Sequence, residues 1–478
     1  MTTRSSIAVL TVARWYPSHD SPGRGSFVAD LVDATRAHGV DHVVASFELL
    51  RVAPLGGDSH FVDELVADAA AALRPPDDPA AALARPLHWG ARGVPVARLA
   101  VPRPPAADGP AMLELHDAAF GPWADRLVAT WRPDLIHAHT GIPDGIVAAR
   151  LGRRYAIPVL VTEHASTIER ELEPPTTRAQ YVELAGRADV VAVSRSLAGR
   201  LQRALGLEHE IDVLPNAVDE ASFPASRDRR RSNELLWVGA MAPHKGTDAL
   251  LRAFALARAE RPDLTLRVIG RPASGTDDVY RDLAADLGVG DAVAFDGWAD
   301  RPTVAEAMRR ATVFVHPSPS ETFGVVAAEA ILSGLPVATA PSGGVPEILE
   351  TAGGFGAVAR VPSPEALAAA IAAVLDRRDV LDPDAARARI VETYGRAAVA
   401  QRVRGRYEQL VGPDGPGRSV SRRAPASRPP LTSPVVVATS PGWLSASLAP
   451  APDGFRQGLT VVAPVGGDDE GDRGAQRS

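Results

Sequence analysis

The sequence predicts an α/β protein of two doubly wound parallel-sheet domains followed by a low-complexity tail. Three observations predict it: short apolar runs alternate with helical patterns, the series restarts after a charged stretch, and the composition shifts beyond residue 412. The chain has 478 residues, 45% hydrophobic and 23% charged. At about 100–200 residues per domain, that length carries two or three domains with ample core.

The first series of strands reads as Ile7–Ala13, Val43–Phe47, Leu135–His139, Val159–Thr162, Val190–Val193 and Ile211–Leu214. The second reads as Leu235–Gly239, Leu266–Gly270, Val293–Phe295, Val313–His316 and Val337–Thr339. Helical patterns such as Phe27–His38, Ser196–Leu205, Asp248–Glu260 and Pro364–Arg377 lie between them. Strands that are apolar throughout and separated by helices argue for parallel sheets covered on both faces. The boundary falls in Ser222–Asn233, where Arg227-Asp228-Arg229-Arg230-Arg231 reads as a solvated linker. Residues 412–478 hold 10 Gly and 10 Pro, a low-complexity density that predicts disorder.

A net charge of −7, from 58 acids and 51 bases, gives no basic footprint for nucleic acid. The absence of cysteine excludes disulfides, thiolate zinc sites and cysteine nucleophiles. No uncharged apolar run approaches the ~18–20 residues that span a bilayer. Arg4 and the apolar Ile7–Ala13 mimic a short signal peptide, but Arg14-Trp15-Tyr16-Pro17 follows where a small-residue cleavage site would stand. A first strand and a cytoplasmic location are the reading. Of the 51 basic residues only Lys245 is lysine, and a compact ammonium does what a planar guanidinium does not.

Ser320–Ile348 reads SETFGVVAAEAILSGLPVATAPSGGVPEI. Glu321 and Glu329 are eight positions apart, about 12 Å along a helix starting near Phe323. That is the reach from a sugar ring across a diphosphate to a ribose. The N–H groups of Phe323, Gly324, Val325 and Val326 would make an anion site at the helix N-terminus. A cap plus a surface carboxylate is the competing reading. Lys245, in WVGAMAPHKGTDALLRAF between a strand and a helix, suits a phosphate contact. His244 before it excludes a Walker A loop. The Gly23-Arg24-Gly25 turn after the first strand is a second phosphate-loop candidate, though it fails the dinucleotide fingerprint. His137 and His139 share one face of a strand, and His164 closes the next. A metal pair and hydrogen-bonded core histidines are the alternatives to a role in the site.

Taken in order, the Gly turn at 23–25, HAH at 137–139, TEH at 162–164, VSRS at 193–196, LPNAVD at 214–219, the KG of 245–246, Gly270, GW at 297–298 and the E-x7-E helix resemble one family. The chain is similar to the retaining GT-B glycosyltransferases of family 4, also called glycosyl transferases group 1. The resemblance covers roughly residues 5–410 and is strongest over 234–350. It implies two Rossmann-like domains facing across a cleft: an acceptor-side domain over 1–222 and a nucleotide-sugar domain over 223–392. It also implies a terminal helix over 393–411 that crosses back to the first domain, with the tail at 412–478.

The resemblance further implies roles. Glu329 would bind the ribose hydroxyls, Glu321 the hydroxyls of the transferred sugar, and Lys245 the diphosphate. The amides of Phe323, Gly324, Val325 and Val326, with the turn at Gly25, would complete the phosphate cradle. The base would lie against the segments around Gly270 and Trp298, largely through backbone contacts, and Gly239 would belong to the same donor site. His139 would face the reacting centre, with His164 on the acceptor side. Many relatives carry Arg after the glycine of the VG turn; here Ala240 stands there, so either another arginine such as Arg271 works with Lys245 and the helix amides, or turnover is slower. The implied reaction moves a sugar from a UDP-, GDP- or ADP-sugar to an acceptor hydroxyl with retention, without a metal or other cofactor, in bacterial polysaccharide biosynthesis or similar work.

Two other functions compete: a nucleotide-sugar epimerase of the same fold, and a nucleotide-sugar-binding protein without turnover. The acceptor is not named by any motif; a glycan, a lipid-linked carbohydrate and a small molecule are the classes. Arg150, Arg153 and Arg154 share a helix and pose peripheral contact with the inner face of a membrane against a solvated face.

Overall fold

The structure is a computed structural model that describes residues 6–18, 23–51, 87–89, 93–103, 109–225, 233–272 and 278–412. The expected disorder of the tail and residues 226–232 of the charged boundary lie outside the described residues. By contacts the chain forms two compact units. One comprises Met1–Thr162, Arg170–Val190 and Arg404–Ser478; the other comprises Glu163–Glu169 and Val191–Val403.

The chain first runs β1 (Ile7–Ala13), α1 (Ser26–Arg36), β2 (Val40–Arg51), β3 (Leu87–Trp89), β4 (Pro95–Arg103), α2 (Gly109–Thr130), β5 (Leu135–His139), a wide turn at Gly141–Gly145, α3 (Ile146–Tyr155) and β6 (Val159–Glu163). After the short α4 (Ile168–Glu171) come α5 (Pro175–Ala185) and β7 (Asp189–Ala192). Strand order is β3-β4-β2-β1-β5-β6-β7; the β2–β4, β1–β2, β1–β5 and β5–β6 pairs are parallel and β3–β4 is antiparallel. Every residue of β1 and of β5 is buried, as expected of strands covered on both faces. The sequence reading missed β3 and β4. In Pro95-Val-Ala-Arg-Leu-Ala-Val-Pro-Arg103 two prolines and two arginines interrupt the apolar pattern, yet it pairs with β2 from Val44↔Val96 to Arg51↔Arg103.

The second unit holds α6 (Arg195–Leu205) and β8 (Asp212–Val213), which pairs with the end of β7. A second sheet follows: β9 (Glu234–Val238), α7 (Thr247–Glu260), β10 (Thr265–Ile269), α8 (Val279–Asp286), β11 (Val293–Gly297), α9 (Arg301–Arg310), β12 (Val313–His316), α10 (Val325–Leu332), β13 (Val337–Thr339), α11 (Gly344–Thr351) and β14 (Gly356–Val358). Then come α12 (Pro364–Arg377), α13 (Pro383–Tyr394) and α14 (Arg396–Val411). The sheet is all parallel, in the order β11-β10-β9-β12-β13-β14. Trp237, Leu250, Phe254, Leu266, Val313 and Ile371 belong to one buried cluster on it. Side-chain caps start the helices where the sequence supplies them: Ser194 for α6, Asp300 for α9, Ser363 for α12 and Asp382 for α13.

The last helix leaves the second unit and ends in the first, which begins again at Arg404. There Tyr407, fully buried, shares a 2.7 Å hydrogen bond with His137 Nδ1, whose Nε2 lies 2.8 Å from Thr162 Oγ1. His137 is thus a hydrogen-bonded core histidine that fixes the C-terminal helix to β5. Tyr407→Phe leaves one buried imidazole nitrogen without this partner and is expected to lower stability by about 1–3 kcal/mol, measured by urea unfolding.

Candidate functional site

In the second sheet the winding reverses between β9 and β12: the chain adds β10 and β11 on one side and β13 and β14 on the other. The loops leaving the carboxyl ends of β9 and β12 diverge there and leave a crevice where open α/β sheets bind ligands. Lys245 comes from the first loop and Glu321 from the second, and Lys245 Nζ lies 3.1 Å from Glu321 Oε2. The loops are matched to each other. Gly246 has φ +74°, and a Cβ there would meet the Pro317 carbonyl oxygen at 2.5 Å, so only glycine brings Lys245 this close. The Ser318 hydroxyl donates to the His244 carbonyl at 3.3 Å, and Thr247 Oγ1 accepts from the Ala242 amide at 3.2 Å.

Glu321 is held by its backbone as well as its charge. Its N–H donates to the Ser342 carbonyl at 2.7 Å, and its own carbonyl accepts from Gly344 at 3.0 Å. Its Oε1 accepts from the Thr322 amide at 3.1 Å, and His316 Nε2 approaches Oε2 at 3.8 Å. Burial alone would raise this carboxyl; His316 and Lys245 outweigh it and hold it down at about 2. His316 was read only as the end of a strand. Its one signal is a polar residue closing the apolar run Val313–Val315 just before the motif.

The helix after Glu321 begins at Val325, two residues later than expected, because Gly324 takes a left-handed conformation with φ +100° as its cap. Ala327 N–H is bonded to the Gly324 carbonyl, so Val325 and Val326 present the first-turn amides. The Phe323 side chain is buried instead, edge-on to Tyr394 at 5.2 Å. Glu329, buried on α10, receives Arg301 Nη2 on Oε1 at 2.9 Å, a partner the sequence reading missed.

Three glycines end adjacent strands. Gly239 N–H donates to Ile269 at 3.0 Å, and Gly270 N–H donates to Gly297 at 2.7 Å. A Cβ on Gly270 would lie 1.7 Å from the Gly239 carbonyl, so these backbones pack as only glycine permits. Trp298 beside them is half exposed. Ala240 is exposed, and the loop of Arg271 runs alongside through the Met241 N–H bond to the Arg271 carbonyl.

In the first unit the winding reverses between β1 and β5; the Gly25 turn follows β1 and His139 ends β5. Gly25 has φ +68°, and a Cβ there would collide with the Trp15 carbonyl at 2.1 Å; Gly23 has no such restriction. Buried Asp144 ties the two loops, accepting from the Arg14 amide at 2.9 Å and from Thr140 Oγ1 at 3.2 Å. His139 is buried 4.2 Å from the His137 ring, and burial lowers its pKa to about 3, so it is neutral near pH 7. Among the described residues no group of three or more His, Cys, Asp or Glu could hold a metal ion. His164, buried, belongs by contacts to the second unit, and its amide donates to Glu163 Oε1 at 2.9 Å. Arg150 pairs with Asp117 and Glu114, Arg154 with Asp125, and Arg153 with Glu183, as on a solvated face. Among the described residues no helix is long and apolar enough to cross a membrane.

Residues 23–222 match the family described as Glycosyltransferase Family 4, and residues 218–393 match Glycosyl transferases group 1. A D-inositol 3-phosphate glycosyltransferase of Thermobispora bispora is 31% identical over 310 residues, 59% of this chain and 71% of that protein. The enzyme of the same name from Pseudarthrobacter chlorophenolicus is 33% identical over 235 residues, 45% of this chain. The chain spans little more than half of that relative's length, 56%. A solved structure, Anabaena HepE in complex with UDP, superposes with a TM-score of 0.61 at 20% identity, covering 84% of this chain and all of that one.

A carboxyl held at about 2 when folded and near ~4.3 when unfolded stabilises the chain fully above about pH 5 and loses that contribution as pH falls towards 2. Glu321→Gln is therefore expected to be less stable than wild type by about 1–3 kcal/mol near neutral pH. Thermal melts between pH 7 and low pH check the sign: the gap between the two proteins should narrow as the solution is acidified.

Proposed function

The chain belongs to glycosyltransferase family 4, with the two doubly wound sheets of the GT-B fold, and from that membership we propose that it transfers a sugar from a nucleoside-diphosphate sugar to an acceptor hydroxyl with retention of configuration. The observation that carries this reading is the Lys245–Glu321 pair at the winding reversal of the second sheet, beside the first-turn amides of α10. Charge develops on the departing diphosphate, and a fixed ammonium with helix amides is an arrangement that stabilises it without reorganising.

In this reading Lys245 exchanges Glu321 for the diphosphate when donor arrives, and the released carboxylate accepts from hydroxyls of the transferred sugar. Val325, Val326 and the Gly25 turn supply further amides, and Glu329 accepts from the ribose. The glycine row at Gly239 and Gly270 admits the base to the backbone, with Trp298 beside it. His139 works as a neutral hydrogen-bonding group towards the reacting centre, and His164 faces the acceptor. No carboxylate is assigned as a covalent nucleophile, so the leaving phosphate itself takes the acceptor proton, and no metal is required. The solved relative with UDP and the relatives named for D-inositol 3-phosphate support a nucleotide donor and a small polyol-type acceptor.

A thermal-shift panel of UDP-, GDP- and ADP-sugars tests the donor. A ligand at ~100 times its Kd adds about 2.7 kcal/mol, and one nucleotide class should raise the melting temperature in wild type but not in Glu329→Ala. With that donor, Lys245→Ala is expected to lower kcat by about 10²–10³-fold with the fold intact, checked by product formation and circular dichroism. Wild-type turnover in Lys245→Ala would sink the mechanism.

A further inference from the structure

Arg301 stands where a helix least favours it. It is the first residue of α9, and the positive end of the helix dipole repels a cation there. The helix is capped without this side chain, by Asp300 through the Thr303 amide at 3.0 Å. The guanidinium is nonetheless fixed on several sides. It lies over the Phe223 ring, 5.4 Å from the centroid, and Nη1 is 3.7 Å from Asp219 Oδ2. Asp219 is buried and fixed in turn: it takes the Ser222 hydroxyl at 2.6 Å and lies 3.5 Å from Arg396. Burial alone would raise the Asp219 carboxyl; Ser222, Arg396 and Arg301 together hold it below its usual value. The end of this chain of contacts is Nη2, 2.9 Å from Oε1 of Glu329.

We propose that Arg301 is a positioning residue for the donor's ribose: held by Asp219 and Phe223, it fixes the Glu329 carboxylate in the orientation that receives the ribose hydroxyls. This rests on the reading of Glu329 as the ribose contact. A long arginine between an anion and an aromatic face has already given up its rotamer freedom, so the carboxylate it holds is ordered before ligand arrives. Such ordering favours binding through Glu329 and does nothing for the base or the diphosphate, which distinguishes it from a general contribution to stability.

The experiment measures binding of UDP and 2′-deoxy-UDP by calorimetry, with the GDP and ADP pairs run alongside, to wild type, Arg301→Met, Arg301→Lys and Glu329→Gln. Melting curves confirm that each variant is folded. Wild type is expected to prefer the ribo form about tenfold or more, Glu329→Gln to lose the preference, and Arg301→Met to lose most of it by weakening the ribo form alone. Arg301→Lys, which keeps a charge but not the fork, should recover part of it. A full preference retained in Arg301→Met, or equal weakening of both forms, overturns the inference. A full preference retained in Glu329→Gln overturns the ribose reading itself, whatever Arg301 does, and a wild type that binds no nucleotide overturns both.

Discussion

A parallel sheet wound in one direction covers only one face with its crossovers, so covering both requires the winding to reverse once. That reversal is the constraint on which the rest of this structure depends. Between β9 and β12 no crossover connection fills the space above the strand ends, and the chain places there its single lysine, an inwardly held glutamate and the start of a helix. The same requirement in the first sheet sets the Gly25 turn and His139 above β1 and β5. The location of the candidate site is thus decided by topology before any side chain is chosen.

What the side chains add is control of charge in half-dry surroundings. A carboxylate withdrawn from water is strongly disfavoured unless a cation or a donor meets it. Glu321 has Lys245 and a backbone amide; Glu329 has Arg301; Asp219 has two arginines and a hydroxyl. His139 follows the opposite course: with burial as the dominant influence it stays neutral, available as a donor or an acceptor. In the proposed reaction the two kinds of group take different tasks, fixed anions for binding hydroxyls and a neutral ring for a place where charge is in transit.

Much of this was legible in the sequence, and the unread parts have physical reasons. Strands buried on both faces leave short, mostly apolar runs, so β1, β5, β9 and β12 stood out, while β4 did not because prolines and arginines break its run. Lys245 was conspicuous because it is the only lysine. For the converse reason Arg301 was invisible: where all but one of 51 basic residues are arginine, no single arginine draws notice, and its role comes from neighbours 28 and 82 positions away. The delayed start of α10 was unreadable as well, since the left-handed turn at Gly324 follows from how α11 packs, with Val345 2.4 Å from where a Cβ would stand.

The bond between Tyr407 and His137 joins residues 270 positions apart in the chain. During synthesis at ~5–20 residues per second, about 15–50 s separate the emergence of the histidine from that of its partner. For that interval the first sheet exists without its closing helix, with β5 lacking the neighbour that finally seals it. The second unit has by then been made almost in full and is free to fold ahead of the unit that precedes it in sequence. The first unit can therefore be completed only after nearly all of the second has been synthesised.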